Sequence, residues 1–153
     1  MNNLKEALSS SGLAPNRLEL EITETILLQG GDALSTLLLL RSLGMRISMD
    51  DFGTGYSSLS YLRSFPFDKI KIDRSFISEL AAGGESMAIV RAVTGLGRSL
   101  GISTTAEGVE TSEQLSLLRS EGCDEVQGYL FSPALSAADA EKMIAKRRLR
   151  VVA

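Results

Sequence analysis

Apolar and polar residues alternate along this chain with two different periods. Leu18-Glu-Leu-Glu-Ile-Thr23 switches from apolar to polar at every step, the two-residue period of a strand with one buried face. Arg46–Asp50, Lys69-Ile-Lys-Ile-Asp73, Ile102–Ala106 and Glu125-Val-Gln127 read as four further short strands. Helical spacing fills the intervals. Leu4–Leu13 reads as the end of a helix stopped by Gly12 and turned by Pro15, and Leu34–Leu43 as a leucine-rich helix closed by Gly44. Tyr56–Phe65 is a short helix that ends before Pro66. Glu85–Leu100 places Ala88, Ile89, Ala92, Val93, Leu96 and Leu100 at helical spacing. Ser112–Glu121 and an amphipathic Ala137–Lys146 complete the set, with a basic tail over 147–153. Strand and helix alternate five times with no linker or low-complexity stretch, which predicts an α/β fold with parallel strands and right-handed crossovers. An open doubly wound sheet and a section of a (β/α)8 barrel both satisfy that pattern.

Composition narrows the chemistry. The 153 residues make one domain or a large piece of one. A net charge of −3 with no basic tract argues against electrostatic capture of DNA or RNA. The absence of histidine excludes His-ligated zinc and a Ser–His–Asp triad. A lone cysteine, Cys123, forms no internal disulfide, so it is expected to pack in a reducing compartment. No signal peptide is recognisable, and the longest apolar run, Leu37–Leu40, is far too short for a bilayer. The expectation is a cytoplasmic protein with no membrane contact through this segment.

The polar residues at strand ends point to a site. Met45-Arg-Ile-Ser-Met-Asp-Asp-Phe-Gly-Thr-Gly-Tyr-Ser-Ser-Leu59 runs from a strand through two adjacent acids, Asp50 and Asp51, into a glycine-containing turn. Alternation along a strand need not turn both acids inward, but a backbone past its last ladder bond is free to do so. Glu21, Asp50, Asp51, Lys71, Glu107 and Gln127 all fall at or just beyond the C-terminal ends of the five strands. In parallel α/β proteins those ends share the ligand-binding face. Four carboxylates and a lysine there suit hard divalent ions, and a two-metal centre suits phosphodiester hydrolysis. The competing reading makes these acids helix N-caps. Asp51-Phe-Gly53 matches the kinase metal-binding triplet without its companion motifs, and Gly95–Gly101 has the wrong spacing for a dinucleotide fingerprint.

Five segments, in order, carry a family resemblance: Glu19-Leu-Glu-Ile-Thr-Glu24, Asp50-Asp-Phe-Gly-Thr-Gly-Tyr-Ser-Ser58, Lys69-Ile-Lys-Ile-Asp73, Ala106-Glu-Gly-Val-Glu110 and Gln127-Gly-Tyr129. Together they resemble the C-terminal part of an EAL domain, the bacterial cyclic di-GMP phosphodiesterase family. The resemblance implies a TIM-like (β/α)8 barrel and hydrolysis of cyclic di-GMP to pGpG with Mg²⁺ or Mn²⁺. It implies that Glu21, Asp50 and Glu107 are metal ligands, Asp51 a ligand of the second ion, and Lys71 the group that orients water or steadies charge. It places Gln127 in the same site and makes Glu110 the support of the loop containing Phe52, Gly53, Thr54 and Gly55. A whole barrel takes about 250 residues, so about five C-terminal repeats are expected here. The strands carrying the Glu-Ala-Leu motif and an asparagine ligand are then absent, which leaves the centre incomplete in this segment. Glu6-Ala7-Leu8 spells that motif in a helical setting fifteen positions before Glu21, and Glu6 is not expected to be a ligand. Open sheet edges imply self-association or a fused regulatory domain in a longer protein. A non-catalytic cyclic di-GMP receptor and a truncated interaction module are the alternatives.

Overall fold

The computed structural model describes residues 2–23, 26, 32–54, 62, 65 and 67–150. Helix α1 (Asn2–Ser11) and a 3₁₀ turn (Pro15–Arg17) lead into strand β1 (Glu19–Thr23), helix α2 (Asp32–Ser42) and strand β2 (Arg46–Phe52). Strand β3 (Lys69–Ile72) is followed by helix α3 (Arg74–Ser78), a 3₁₀ turn (Leu80–Ala82) and helix α4 (Glu85–Leu100). Strand β4 (Ser103–Ala106), helix α5 (Ser112–Ser120), strand β5 (Glu125–Val126) and helix α6 (Ala137–Arg150) finish the chain.

Among the described residues all four strand pairings are parallel, and the sheet order is β1-β2-β3-β4-β5. A doubly wound sheet reverses its order at a switch point. This one never reverses, so of the two architectures the alternation allowed, it is a section of a barrel. Among the described residues the outer edges of β1 and β5 have no strand beside them.

Period-two alternation divides the sheet into two unlike faces. Ile22, Ile47, Met49, Ile70, Ile72 and Ala106 join Val90 and Val93 of α4 and Leu118 of α5 in one apolar core. The other face carries Glu19, Glu21, Ser48, Asp50, Lys69, Lys71, Thr105 and Glu125. Parallel strands are normally apolar on both faces. Here ion pairs occupy the second face, which is the inner surface of the barrel section. At the opposite end of the sheet from the acidic site, Asp68 and Asp124, each just before a strand, accept hydrogen bonds from Ile47 N (2.9 Å) and Thr104 N (2.8 Å) of neighbouring strands.

Local differences from the sequence pattern have physical causes. β3 stops at Ile72 because Asp73 becomes the N-cap of α3, accepting from Ser75 N at 3.0 Å. That five-residue helix is too short to show a period. β2 continues two residues beyond Asp50 through a bulge, described below. β5 ends at Val126, one residue early, and α6 runs on through the basic stretch to Arg150. Of the helix expected over Tyr56–Phe65, only Leu62 and Phe65 lie within the described residues, and both are buried. Cys123 packs against the core and its thiol donates to Glu125 O at 3.2 Å; burial pushes its pKa up, in keeping with a packing role. No described helix is long and apolar enough to cross a membrane.

Candidate functional site

The site begins with an irregularity in β2. Met49 pairs with Ile70 and Phe52 with Ile72, so three steps along β2 match two along β3. Asp50 and Asp51 together stand opposite the single residue Lys71. This is a β-bulge, which breaks alternation and re-aims side chains. Asp51 takes up the extra residue with φ of 53°, the left-handed region that asparagine and aspartate tolerate better than most side chains. In a regular strand Asp51 would face the helices; the bulge returns that place to Phe52, which is buried. The two acids therefore converge within the ladder, rather than beyond its last bond as the sequence suggested.

One carboxylate oxygen from each of Asp50, Asp51 and Glu107 lies within 4.8 Å of the other two. Lys71, 5% exposed, centres the group on a charge of the opposite sign. Its Nζ is 2.6 Å from Glu107 Oε1, 2.7 Å from Glu21 Oε1 and 3.0 Å from Asp50 Oδ1. Burial alone would push this ammonium's pKa down; hydrogen bonding to Glu107, Glu21 and Asp50 outweighs it and holds the pKa above the ordinary lysine value. Asp50 Oδ1 is itself buried, with the Lys71 ammonium as its polar contact. Ser48 Oγ, two residues earlier on the same strand face, is buried with no hydrogen-bond partner among the described residues.

A cavity of about 370 Å³ opens beside this group, lined by Asp51, Glu107, Glu110 and Gln127 together with Asp73, Arg74, Gly108, Gly128 and Tyr129. Backbone bonds from Val109 N to Gln127 O and from Leu130 N to Val109 O, both 3.0 Å, bind the loops after β4 and β5 to one another. Gly128 sits so close to the Val109 backbone that any side chain there would collide with it. Gln114 anchors the same region. Its Oε1 accepts from Glu110 N (2.8 Å) and Thr111 N (3.0 Å), while its Nε2 donates to Ile77 O at 2.9 Å.

The structure thus brings together Asp50, Asp51, Lys71 and Glu107, with Glu21 joined through Lys71. Glu110 and Gln127 line the adjoining cavity. Thr54 closes the turn after the bulge, its Oγ1 donating to Asp51 O at 2.9 Å. At Gly53 φ is +98°, and a Cβ would come within 2.9 Å of the Phe76 ring, so only glycine fits. Gly55 lies outside the described residues. Glu6 is exposed on α1.

Sequence reasoning missed two features. Arg74 and Asp73 line the cavity from the start of α3. A second charged layer lies deeper, where Lys69 Nζ meets Glu125 Oε2 at 2.7 Å and Glu19 Oε2 at 3.1 Å. The signal for that layer was the two-residue spacing of Glu19 and Glu21, of Lys69 and Lys71, and of Glu125 and Gln127.

An unreversed parallel sheet with acids and a lysine at its C-terminal ends defines a section of an α/β barrel with an acidic site. Its family follows from comparison. The sequence profile of the EAL domain matches residues 1–134, and the chain belongs to that family. It is 55% identical over 147 residues to the uncharacterised protein y4lL of Sinorhizobium fredii, covering 95% of this chain and 18% of that protein. It is 46% identical over 145 residues to the cyclic di-GMP phosphodiesterase NbdA of Pseudomonas aeruginosa, covering 94% of this chain and 18% of NbdA. The EAL enzyme Bd1971, solved with cAMP and cyclic di-GMP bound, superposes with a TM-score of 0.90 at 38% identity, over 94% of this chain and 38% of that one. BlrP1 of Klebsiella pneumoniae, solved as a manganese and cyclic di-GMP complex, superposes with a TM-score of 0.80 at 41% identity, over 86% of this chain and 34% of BlrP1. The chain spans less than a fifth of the length of y4lL or NbdA.

Proposed function

We propose that this chain carries the acid-and-lysine side of a metal-dependent phosphodiesterase that hydrolyses cyclic di-GMP to pGpG in the bacterial cytoplasm. The observation that carries the reading is the convergence of Asp50, Asp51 and Glu107 beside a cavity. It occurs in a fold whose solved relatives include cyclic di-GMP complexes at 38–41% identity.

The donor set suits Mg²⁺ or Mn²⁺. It consists of carboxylate oxygens, the ligands hard cations select, and metal–oxygen bonds of about 2.0–2.6 Å let one ion reach oxygens up to about 5 Å apart. Asp50 Oδ1, buried and already facing an ammonium at 3.0 Å, is the kind of acceptor a cation satisfies. Asp50, Asp51 and Glu107 would hold the ions with help from Glu21. When bound, the ions supply Lewis acidity, a more acidic water and charge to offset the phosphate. The chain's own residues do the rest. Lys71 is in reach to donate a hydrogen bond to the attacking water or to a phosphate oxygen. Gln127 presents an amide to the cavity, and Arg74 offers the cation its acidic walls lack for an anionic substrate. Glu110 lines the same cavity, and the described part of the turn, Phe52, Gly53 and Thr54, follows directly on Asp51.

The test is hydrolysis of cyclic di-GMP by this polypeptide with Mg²⁺ or Mn²⁺, with pGpG followed by chromatography. Product is expected to fall by more than about a hundredfold in Glu107→Gln or Asp50→Asn, a larger loss than that usually caused by changing an outer-shell residue. Specific activity that rises with protein concentration would mean that a second copy completes the centre across the open edges of β1 and β5. No hydrolysis, with cyclic di-GMP still bound, would establish the receptor reading. Neither hydrolysis nor binding would leave an interaction module.

A further inference from the structure

We infer that Lys71 is a resident counter-cation, holding the carboxylates together in the metal-free protein and competing with the divalent ions for them. The inference rests on the metal-binding reading above. Its basis is the geometry of the ammonium. Nζ lies 2.6–3.0 Å from an oxygen of Glu21, Asp50 and Glu107, three of the four acids in the proposed ligand set. Glu21 lies on β1, Asp50 on β2 and Glu107 just after β4, and this one ammonium touches all three. Four carboxylates against one ammonium leave a formal charge of −3, and without Lys71 it would be −4. Like charges this close raise the free energy of the empty site unless a cation intervenes. Lys71 supplies that cation without any ion being bound.

The same arrangement opposes metal entry. An ion held by Asp50, Asp51 and Glu107 would sit within a few ångströms of Nζ, and oxygens already facing the ammonium must be shared or released. The deeper layer provides the comparison. Lys69 faces two carboxylates, Glu19 and Glu125, for a formal charge of −1, and neither belongs to the ligand set. Lys69 therefore leaves one negative charge in its layer, whereas Lys71 leaves three in the layer of the ligand set.

A positioning role makes the opposite prediction. If Lys71 chiefly pre-orients the ligands, removing it would loosen them and weaken metal binding. The two roles separate in one experiment, Mn²⁺ titration of the whole chain by calorimetry or by the electron paramagnetic resonance of the free ion. Lys71→Met and Lys71→Gln are expected to bind Mn²⁺ on the order of tenfold more tightly than the unsubstituted chain. Lys71→Arg, which keeps the charge, should show no such gain, and Lys69→Met should change affinity less than Lys71→Met. The neutral Lys71 variants should also be less stable without metal, and Mn²⁺ should raise their Tm by a larger increment.

Unchanged or weaker binding in both neutral variants overturns the inference. So does their failure to fold in millimolar Mn²⁺, because the ions would then be unable to replace the ammonium. Binding by a neutral variant alone supports it. If no form of the chain binds Mn²⁺, the metal-binding reading itself fails, a result distinct from equal binding by all forms.

Discussion

Asp51 shows how one residue is placed against its own preferences. Its φ of 53° is costly for most side chains, and its carboxylate is held near those of Asp50 and Glu107. Strained backbone and crowded like charge are characteristic of sites where stability is given up for function. Asp51→Asn keeps the tolerance for left-handed backbone and removes one charge. Without metal it should be more stable than the unsubstituted chain by about 0.5–1 kcal/mol, and Mn²⁺ should stabilise it less. Asp51→Val cannot adopt this backbone comfortably and should lose about 1–3 kcal/mol with or without metal. Urea unfolding with and without Mn²⁺ checks both, and an Asp51→Asn protein less stable than the unsubstituted one would refute the crowding argument. Little of this could be read from the sequence. Adjacent acids at a strand end were visible, but nothing in Met49-Asp-Asp-Phe52 fixes which peptide turns, and the bulge depends on where Ile70 and Ile72 of the next strand lie.

At the scale of elements, strands were the most legible, because alternation must place apolar residues on one face for the sheet to bury them. The helix at Arg74–Ser78 was not, since a single turn and a half has no period and its start depends on the Asp73 side chain. The loops were legible as motifs without their mechanics. Thr111 and Gln114 form a capping box at the start of α5, and Gln114 also reaches across to Ile77 O at 2.9 Å. One buried amide thus links the loop after β4, which carries Glu110, to the end of α3, whose first residue is Arg74. Gln114→Leu would leave the Glu110 and Thr111 N–H groups without this acceptor and take one of two donors from Ile77 O, which also accepts from Glu79 N, at a cost of about 2 kcal/mol or more. Thr111→Ala removes only the cap and should cost about 1 kcal/mol. Equal losses in denaturant unfolding would show that the cross-link to Ile77 contributes nothing beyond the cap.

Across the whole molecule, the polar face joins strands that share no backbone ladder. Lys69 on β3 reaches Glu19 on β1 and Glu125 on β5, each two strands away, so this layer ties the sheet across its curvature. Its pH dependence follows from the shifts. Hydrogen bonding to Lys69 holds the Glu125 pKa below its ordinary value. A group with a depressed folded pKa stabilises the fold above its unfolded pKa and loses that contribution as pH falls through the folded value. For Lys69, burial pulls the pKa down, but hydrogen bonds to Glu125 and Glu19 outweigh it and the net shift is upward. That contribution is present below the ordinary lysine pKa and disappears as pH rises through the folded one. Stability should therefore be level near neutrality and decline on both sides. Lys69→Met removes the cation that holds the Glu125 pKa down, so protonating Glu125 is no longer opposed by it. Between about pH 7 and pH 4, the range that crosses the ordinary glutamate pKa, the unsubstituted chain should lose stability more steeply than Lys69→Met. Other acids with depressed pKa values, such as Asp73, act alike in both proteins and cancel in the difference. Unfolding midpoints in urea across this range give the comparison. Parallel curves would mean that the deeper layer is held by packing of the lysine stem rather than by its charge.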